Sequence, residues 1–112
     1  MKKEKDSLVF IRHIFDNIKD IEKFSRGLNE EDFKKDVLIQ KAIIRSIEVI
    51  GEAAKNIPPS FKDKYPNISW KDMIGTRDKL IHHYFGVDLN AVWKVVKEDI
   101  PELKIQIKEL LV

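Results

Sequence analysis

The segment from Arg77 to Tyr84 places three side chains with complementary chemistry within about two turns of one predicted helix. Arg77 carries a permanent positive charge and a planar set of donors that suits a phosphate. His82 can accept or donate a proton near pH 7, and Tyr84 adds a phenolic hydroxyl. An arginine and a histidine are a minimal set for cleaving a phosphodiester bond without a metal ion. No other part of the 112 residues offers a comparable group.

Composition narrows the classes of protein to which the chain can belong. Its 112 residues suit a single domain spanning 1–112, and 43% hydrophobic with 36% charged residues suit a folded core under a charged surface. The net charge is only +2, so contact with a nucleic acid would depend on a few placed cations. With no cysteine, disulfides and thiol catalysis are excluded. No long apolar segment is present, and we expect a cytoplasmic protein.

Apolar residues recur at steps of three and four along most of the chain, which predicts helices rather than strands. A first helix follows Asp6 or Ser7 and ends near Gly27. Asn29 is a suitable cap for a long second helix that runs from Phe33 to Ile57. The expected fold is all-α: an up-down bundle of four to six helices that forms a homodimer.

The second half of the chain contains the connection and the helices that would carry the chemistry. A short helical turn is expected at 60–65, and Ser69 with Asp72 resembles a capping box for a helix that begins at Trp70 and closes near 85–86. Asp88 caps the next helix. Pro101 then predicts either a kink or a new helix, because proline is tolerated only in a first turn.

Helix geometry indicates that one copy of the active helix is an incomplete site. Arg77 and His82 are five residues apart, which is about 140° around the helix and about 7.5 Å along its axis. Two copies that face each other across a dimer would line one cleft with paired Arg77 and His82 side chains. The alternative is that both are ordinary solvated residues on a charged helix. A metal site is not expected, because the histidines do not combine with carboxylates at ligand spacing, and no cofactor is expected.

The chain resembles the HEPN superfamily, and within it the HepT-like toxins paired with a minimal nucleotidyltransferase antitoxin of the MntA kind. The segment Ile50-Gly51-Glu52-Ala53-Ala54 is similar to a core segment of that family, and Tyr65-Pro66-x-Ile68-x-Trp70 is similar to its approach to the active helix. Arg77-Asp78-x3-His82-x-Tyr84 resembles the family's Arg-x4-His-x-Tyr signature, and Val92-Trp93 with Asp99-Ile100-Pro101 resembles its closing segment.

That resemblance implies a metal-independent endoribonuclease that acts as the toxin of a toxin–antitoxin pair. His82 would be the general acid or base, and Arg77 would stabilise charge on the phosphoryl oxygens. Asp78 would orient His82 from one turn away. Tyr84 corresponds to the hydroxyl that the antitoxin adenylylates, which would block RNA from the site. RNA is the implied substrate, with tRNA as one candidate target.

Several interpretations remain open from the sequence. The same Arg77 and His82 could only bind phosphate, in a non-catalytic module that serves a separate nucleotidyltransferase. A helical dimerisation domain without chemistry is a third interpretation. Gly51 is predicted to allow close helix packing with Glu52 at the rim, although Glu52 could instead be a buried acid near the active helix. Three further assignments are structural: Arg45 pairs with Glu48 at the surface, and Trp70 and Trp93 are core residues rather than base-stacking ones.

Overall fold

The computed structural model describes residues 4–82 and 87–111, and these ranges contain helices and no strand. The prediction of an all-α fold is therefore confirmed. The helices are α1 (Glu4–Ser25), α2 (Glu30–Lys35), α3 (Val37–Asn56), α4 (Pro59–Lys64), α5 (Trp70–His82), α6 (Leu89–Lys94) and α7 (Ile100–Leu110), with a π-helical turn at Val95–Asp99 joining the last two.

Helix α3 lies at the centre of the bundle, with α1 against one side and α5 against the other. The apolar stripe predicted for α1 is fully buried at Ile11, Ile14, Ile18 and Ile21. Helix α7 packs back onto α1, and the Lys104 ammonium lies 2.9 Å from the Glu22 carboxylate between them. Because α3 is held on both sides, it is the fixed frame on which α5 is placed.

The single long helix predicted from Phe33 to Ile57 is wrong, because the structure breaks it at Asp36. Asp36 has an extended backbone (φ −107°, ψ 93°), and its carboxylate accepts a hydrogen bond from the backbone N–H of Ile39. Its own N–H donates to the carbonyl of Phe33. Asp36 thus ends α2 and caps α3. A short polar side chain can do this by bonding to the backbone, even where the apolar period of the sequence continues without a break.

The predicted start of the first helix is wrong, because α1 is already helical at Glu4 and both Asp6 and Ser7 lie inside it. The predicted end of α1 and three further predictions, at Asn29, at Asp88 and at 60–65, agree with the structure. Helix α1 ends at Ser25, and Gly27 has a positive φ of 77°, a conformation that glycine adopts without strain. Asn29 caps α2 in a capping box with Asp32. Asp88 caps α6 by accepting from the backbone N–H groups of Asn90 and Ala91. The helical turn expected at 60–65 is α4.

The chain around Pro101 is one continuous helical path widened by a π turn. Residues 89–110 are helical throughout, and the N–H of Ile100 donates to the carbonyl of Val95 five residues earlier. Pro101 follows immediately and occupies the first turn of α7. A proline ring crowds the preceding turn of a helix, and a π turn relieves that crowding.

Both predicted core tryptophans are buried, Trp70 at 7% exposure and Trp93 at 9%.

Within the two described ranges, no helix has both the length and the apolar character required to cross a bilayer.

Candidate active site

Helix α5 is fixed at its start by buried aromatic and apolar side chains. Trp70 is buried, and its indole N–H donates to the carbonyl oxygen of Tyr65 at 3.0 Å. Met73 and the partly buried Ile74 continue the packed face. The predicted capping box of Ser69 with Asp72 is wrong, because the backbone N–H of Ser69 donates instead to the side-chain oxygen of Gln106 on α7 at 3.3 Å. The first two turns of α5 are therefore rigidly placed before the chain reaches Arg77.

Helix α5 crosses α3 where Arg77 packs against Gly51, and the two helices approach closely at that point. A β-carbon at position 51 would lie 2.8 Å from both the Arg77 γ-carbon and the carbonyl oxygen of Met73, and closer still to the Arg77 β-carbon. Only a residue without a side chain fits there, which confirms the predicted packing role of Gly51. The aliphatic stem of Arg77 is thus held against the backbone of α3, and its guanidinium emerges at a defined place.

Two carboxylates flank the guanidinium of Arg77. Its NH1 donates to the Oδ1 of Asp78 at 2.8 Å, a charge-assisted hydrogen bond. Its NH2 lies 3.8 Å from the Oε1 of Glu52 on α3, beyond hydrogen-bond distance. The Nε atom is buried and has no hydrogen-bond partner in the part of the chain that the structure describes. The Arg77 side chain is 21% exposed, so its charge is confined but still reaches solvent.

Arg45 also reaches this carboxylate, which corrects the predicted pairing with Glu48. The NH1 of Arg45 lies 4.0 Å from the Oε1 of Glu52, two turns further along α3. Glu48, at the expected spacing of three residues, has no ion pair in the ranges that the structure covers. The Arg45 side chain is 65% exposed and can extend along the surface. One oxygen of Glu52 therefore lies between two guanidinium groups.

The other predicted site residues lie wholly or partly outside the described part of the chain. Helix α5 extends through His82, so the expected separation of five helical residues from Arg77 holds for the backbone. The side chain of His82 lies outside the described residues, as do His83, Tyr84 and the predicted closure at 85–86. Orientation of His82 by Asp78 remains a prediction, and Asp78 also accepts a hydrogen bond from Arg77.

A groove beside α5 has neither Arg77 nor Asp78 in its lining. Its volume is about 570 Å³, and its lining includes Lys79, Leu80, Val92 and Lys94. A smaller cavity of about 80 Å³ adjoins the π turn. Among the described residues, no group of three or more histidine, aspartate or glutamate side chains is placed to hold a metal ion. Within the described ranges, the candidate site is a partly exposed, charged surface at the α3–α5 crossing.

The sequence identifies Arg77 and Asp78, and it predicts Glu52 at the rim of the helix packing, with a buried acid near the active helix as the alternative. The structure places Glu52 at the rim, partly exposed, with its carboxylate directed at Arg77. The sequence predicts Arg45 only as part of a surface pair with Glu48. The one available signal was the spacing of seven residues between Arg45 and Glu52, which puts both on the same side of α3.

Comparison with known proteins finds one matching family and several relatives of similar length. The family described as "HepT-like: Ribonuclease HepT-like" matches residues 14–110. The chain is 50% identical over 101 residues to "Probable ribonuclease HepT" of Thermococcus cleftensis, covering 90% of this chain and 92% of that protein. It is 45% identical over 108 residues to "Putative RNase MJ0127" of Methanocaldococcus jannaschii, covering 96% and 89%.

A longer relative matches over part of its length only. The chain is 46% identical over 107 residues to "Gamma-glutamylcyclotransferase and putative RNase MJ0434" of Methanocaldococcus jannaschii. The match covers 96% of this chain but 48% of that protein, so the chain spans about half the length of this relative. No solved structure matches the chain significantly.

Proposed function

The chain belongs to the HepT-like ribonuclease family, and from that premise we propose that it cleaves RNA at a site formed by Arg77 and His82. Family membership supports an endoribonuclease. The observation that carries the choice of residues is the placement of Arg77, which Gly51 holds at the α3–α5 crossing with its guanidinium at the surface. His82 follows on the same helix.

The proposed reaction is an internal phosphoryl transfer that needs no metal ion. The ribose 2′-oxygen attacks the adjacent phosphorus, the new O2′–P bond forms and the P–O5′ bond breaks. His82 accepts the proton of the 2′-hydroxyl or donates one to the departing 5′-oxygen. Arg77 stabilises the negative charge that builds on the phosphoryl oxygens, and such preorganised contacts lower barriers by several kcal/mol in enzymes. The products are a 2′,3′-cyclic phosphate and a free 5′-hydroxyl.

A homodimer would complete this site. Arg77 and His82 are about 140° apart on one helix, and the Arg77 side chain is still 21% exposed to solvent. Two copies of α5 facing each other would bring the arginine of one protomer towards the histidine of its partner. Sedimentation analysis alongside an activity titration tests this: a stable monomer with full activity would rule out the shared cleft.

The cleavage test uses purified protein, total RNA and EDTA. We expect cleavage that leaves 2′,3′-cyclic phosphate ends in the wild type and in His13→Ala, which removes an exposed histidine from α1. We expect Arg77→Ala and His82→Ala each to lose at least about 100-fold in rate. Cleavage that needs an added divalent ion, or that persists in both variants, contradicts the proposed chemistry.

We propose further that the ribonuclease is the toxin of a toxin–antitoxin pair and that Tyr84 is its point of control. A partner nucleotidyltransferase would transfer the adenylyl group of ATP to the Tyr84 hydroxyl and release pyrophosphate. A nucleotide attached near Arg77 would bring negative charge and bulk that exclude RNA. Co-expression with a nucleotidyltransferase encoded beside the chain should add one or more adenylate masses. That mass gain should disappear in Tyr84→Phe, and growth arrest should depend on His82.

A further inference from the structure

The surface around Glu52 contains two arginines directed at a single carboxylate oxygen. The Oε1 of Glu52 lies 3.8 Å from the NH2 of Arg77 and 4.0 Å from the NH1 of Arg45. The two guanidinium groups come from different helices, α5 and α3. An anionic oxygen held between two planar cations resembles the way in which arginine pairs bind a phosphate.

We propose that Arg45 is a second phosphate-binding residue, and that a phosphate of bound RNA takes the place that the Glu52 carboxylate has in the free protein. The inference rests on the proposed function, because it takes RNA as the ligand. Arg45 would contact the scissile phosphate or a neighbouring one, on the side of Arg77 away from Asp78.

The distances allow this exchange. The NH2 of Arg77 and the NH1 of Arg45 both contact the same Glu52 oxygen. The distance between these two nitrogens therefore cannot exceed the sum of the two contact distances. Charge-assisted hydrogen bonds to phosphate are about 2.7–2.9 Å long, so two opposite phosphate oxygens could bridge nearly the same gap. Asp78 occupies NH1 of Arg77 and leaves NH2 for such a contact.

The carboxylate is also easy to displace. Neither contact of Glu52 is short enough to be a hydrogen bond, and the Glu52 side chain is 40% exposed. Ion pairs at such exposed positions contribute little to stability. Rotation of the Glu52 side chain into solvent would free the NH2 of Arg77 and the NH1 of Arg45 at once. The carboxylate therefore holds the two cations in place without closing the site.

The test measures binding rather than cleavage, so that it is independent of the chemistry at His82. The probe is a fluorescein-labelled 2′-O-methyl RNA oligonucleotide of mixed sequence, which lacks the attacking hydroxyl. Anisotropy titrations over a range of salt concentrations give the dissociation constant and its salt dependence. The variants are Arg45→Ala and Glu52→Gln. The matched control is Lys41→Ala, an exposed cation one turn earlier on α3 that has no ion pair among the described residues.

We expect Arg45→Ala to weaken binding about 10-fold and to lower the slope of log Kd against log salt by about 0.7, as for one lost contact to single-stranded RNA. Lys41→Ala should leave both quantities within about twofold of the wild type. Glu52→Gln should tighten binding several-fold, because it removes the competing charge. Equal effects of Arg45→Ala and Lys41→Ala, or unchanged or weaker binding by Glu52→Gln, would overturn the inference.

Failure of this inference is distinguishable from failure of the proposed function. If the wild type cleaves RNA and Arg77→Ala does not, while Arg45→Ala binds and cleaves normally, only the role of Arg45 is wrong. If the wild type leaves RNA intact but binding depends on Arg45 with the expected salt slope, the phosphate site stands and the nuclease assignment is wrong.

Discussion

Replacing Gly51 by alanine should disturb the α3–α5 crossing at the point where Arg77 is held. The added β-carbon would lie 2.8 Å from the carbonyl oxygen of Met73, a backbone atom that cannot move without shifting α5. It would also press on the stem of Arg77. The substitution therefore forces the two helices apart, and the displacement falls on the candidate active site.

The chain offers a matched control in Gly75, which lies on α5. A β-carbon at Gly75 would meet nothing within 4 Å. Both glycines lie within helices, where replacement by alanine alone should stabilise the fold by about 0.5–1 kcal/mol. Comparing the two variants cancels this helix-propensity term. What remains is the crowding at position 51, for which overpacked positions suggest about 1–3 kcal/mol.

Urea denaturation followed by the fluorescence of the two buried tryptophans measures this difference in the free energy of unfolding. Gly75→Ala should be slightly more stable than the wild type, and Gly51→Ala should be less stable than Gly75→Ala by about 1–3 kcal/mol. RNA cleavage by folded Gly51→Ala should fall 10- to 100-fold, since displacing a catalytic group by about 1 Å can cost that much. A stability difference below about 0.5 kcal/mol, with normal cleavage, would refute the reasoning.

Two other predictions concern stability away from the site. Partial burial, and then the nearby Glu98, Asp72 and Glu102, raise the pKa of Asp99 above its usual value. The ionised carboxylate therefore disfavours the folded state above that pKa, and the penalty vanishes at low pH. Asp99→Asn should raise the free energy of unfolding at pH 7 by less than about 0.5 kcal/mol, because the residue as a whole is largely exposed to solvent. In urea melts this gain should disappear below about pH 4, and a gain that persists there would contradict the prediction. Asn29→Ala removes the side-chain oxygen that accepts a hydrogen bond from the N–H of Asp32 at 2.8 Å. This substitution should lower the free energy of unfolding by about 1 kcal/mol in urea melts. Asn29→Asp keeps an acceptor and should match the wild type, and equal melts for the two variants would show that the cap does not contribute.

Helices with a clear apolar stripe could be predicted from the sequence because their packing depends on a local period. The four isoleucines of α1 recur at steps of three and four, and all four are fully buried. The break at Asp36 could not be predicted in this way, because the apolar period continues across it. There the carboxylate of Asp36 accepts a hydrogen bond from the backbone of α3. The turn places Phe33 of α2 against Trp93, with the two ring centroids 5.3 Å apart and the ring planes tilted by 31°. That outcome depends on tertiary contacts.

The candidate site shows the same division between local and tertiary information. Arg77 could be singled out by its chemistry and by its spacing from His82 on one helix. Its neighbours Gly51 and Glu52 are 25 or more positions earlier in the chain, and no local pattern states which turn of α3 meets which turn of α5. The small side chains at Gly51 and at 53–54 predict close helix packing, but the residue that packs against Gly51 could be identified only from the crossing itself.

The crossing has a dual role that the variants can separate. Arg45 and Glu52 act at its exposed rim, so their replacement should change RNA binding and leave unfolding nearly unchanged. A β-carbon at position 75 would meet nothing within 4 Å, so Gly75→Ala should change stability alone. Gly51 sits where the helices touch and should change both. If binding, stability and cleavage instead fell together in all of these variants, Arg77 would be one element of a single cooperative unit. In that case a phosphate could not replace the Glu52 carboxylate beside the Arg77 guanidinium without disturbing the fold.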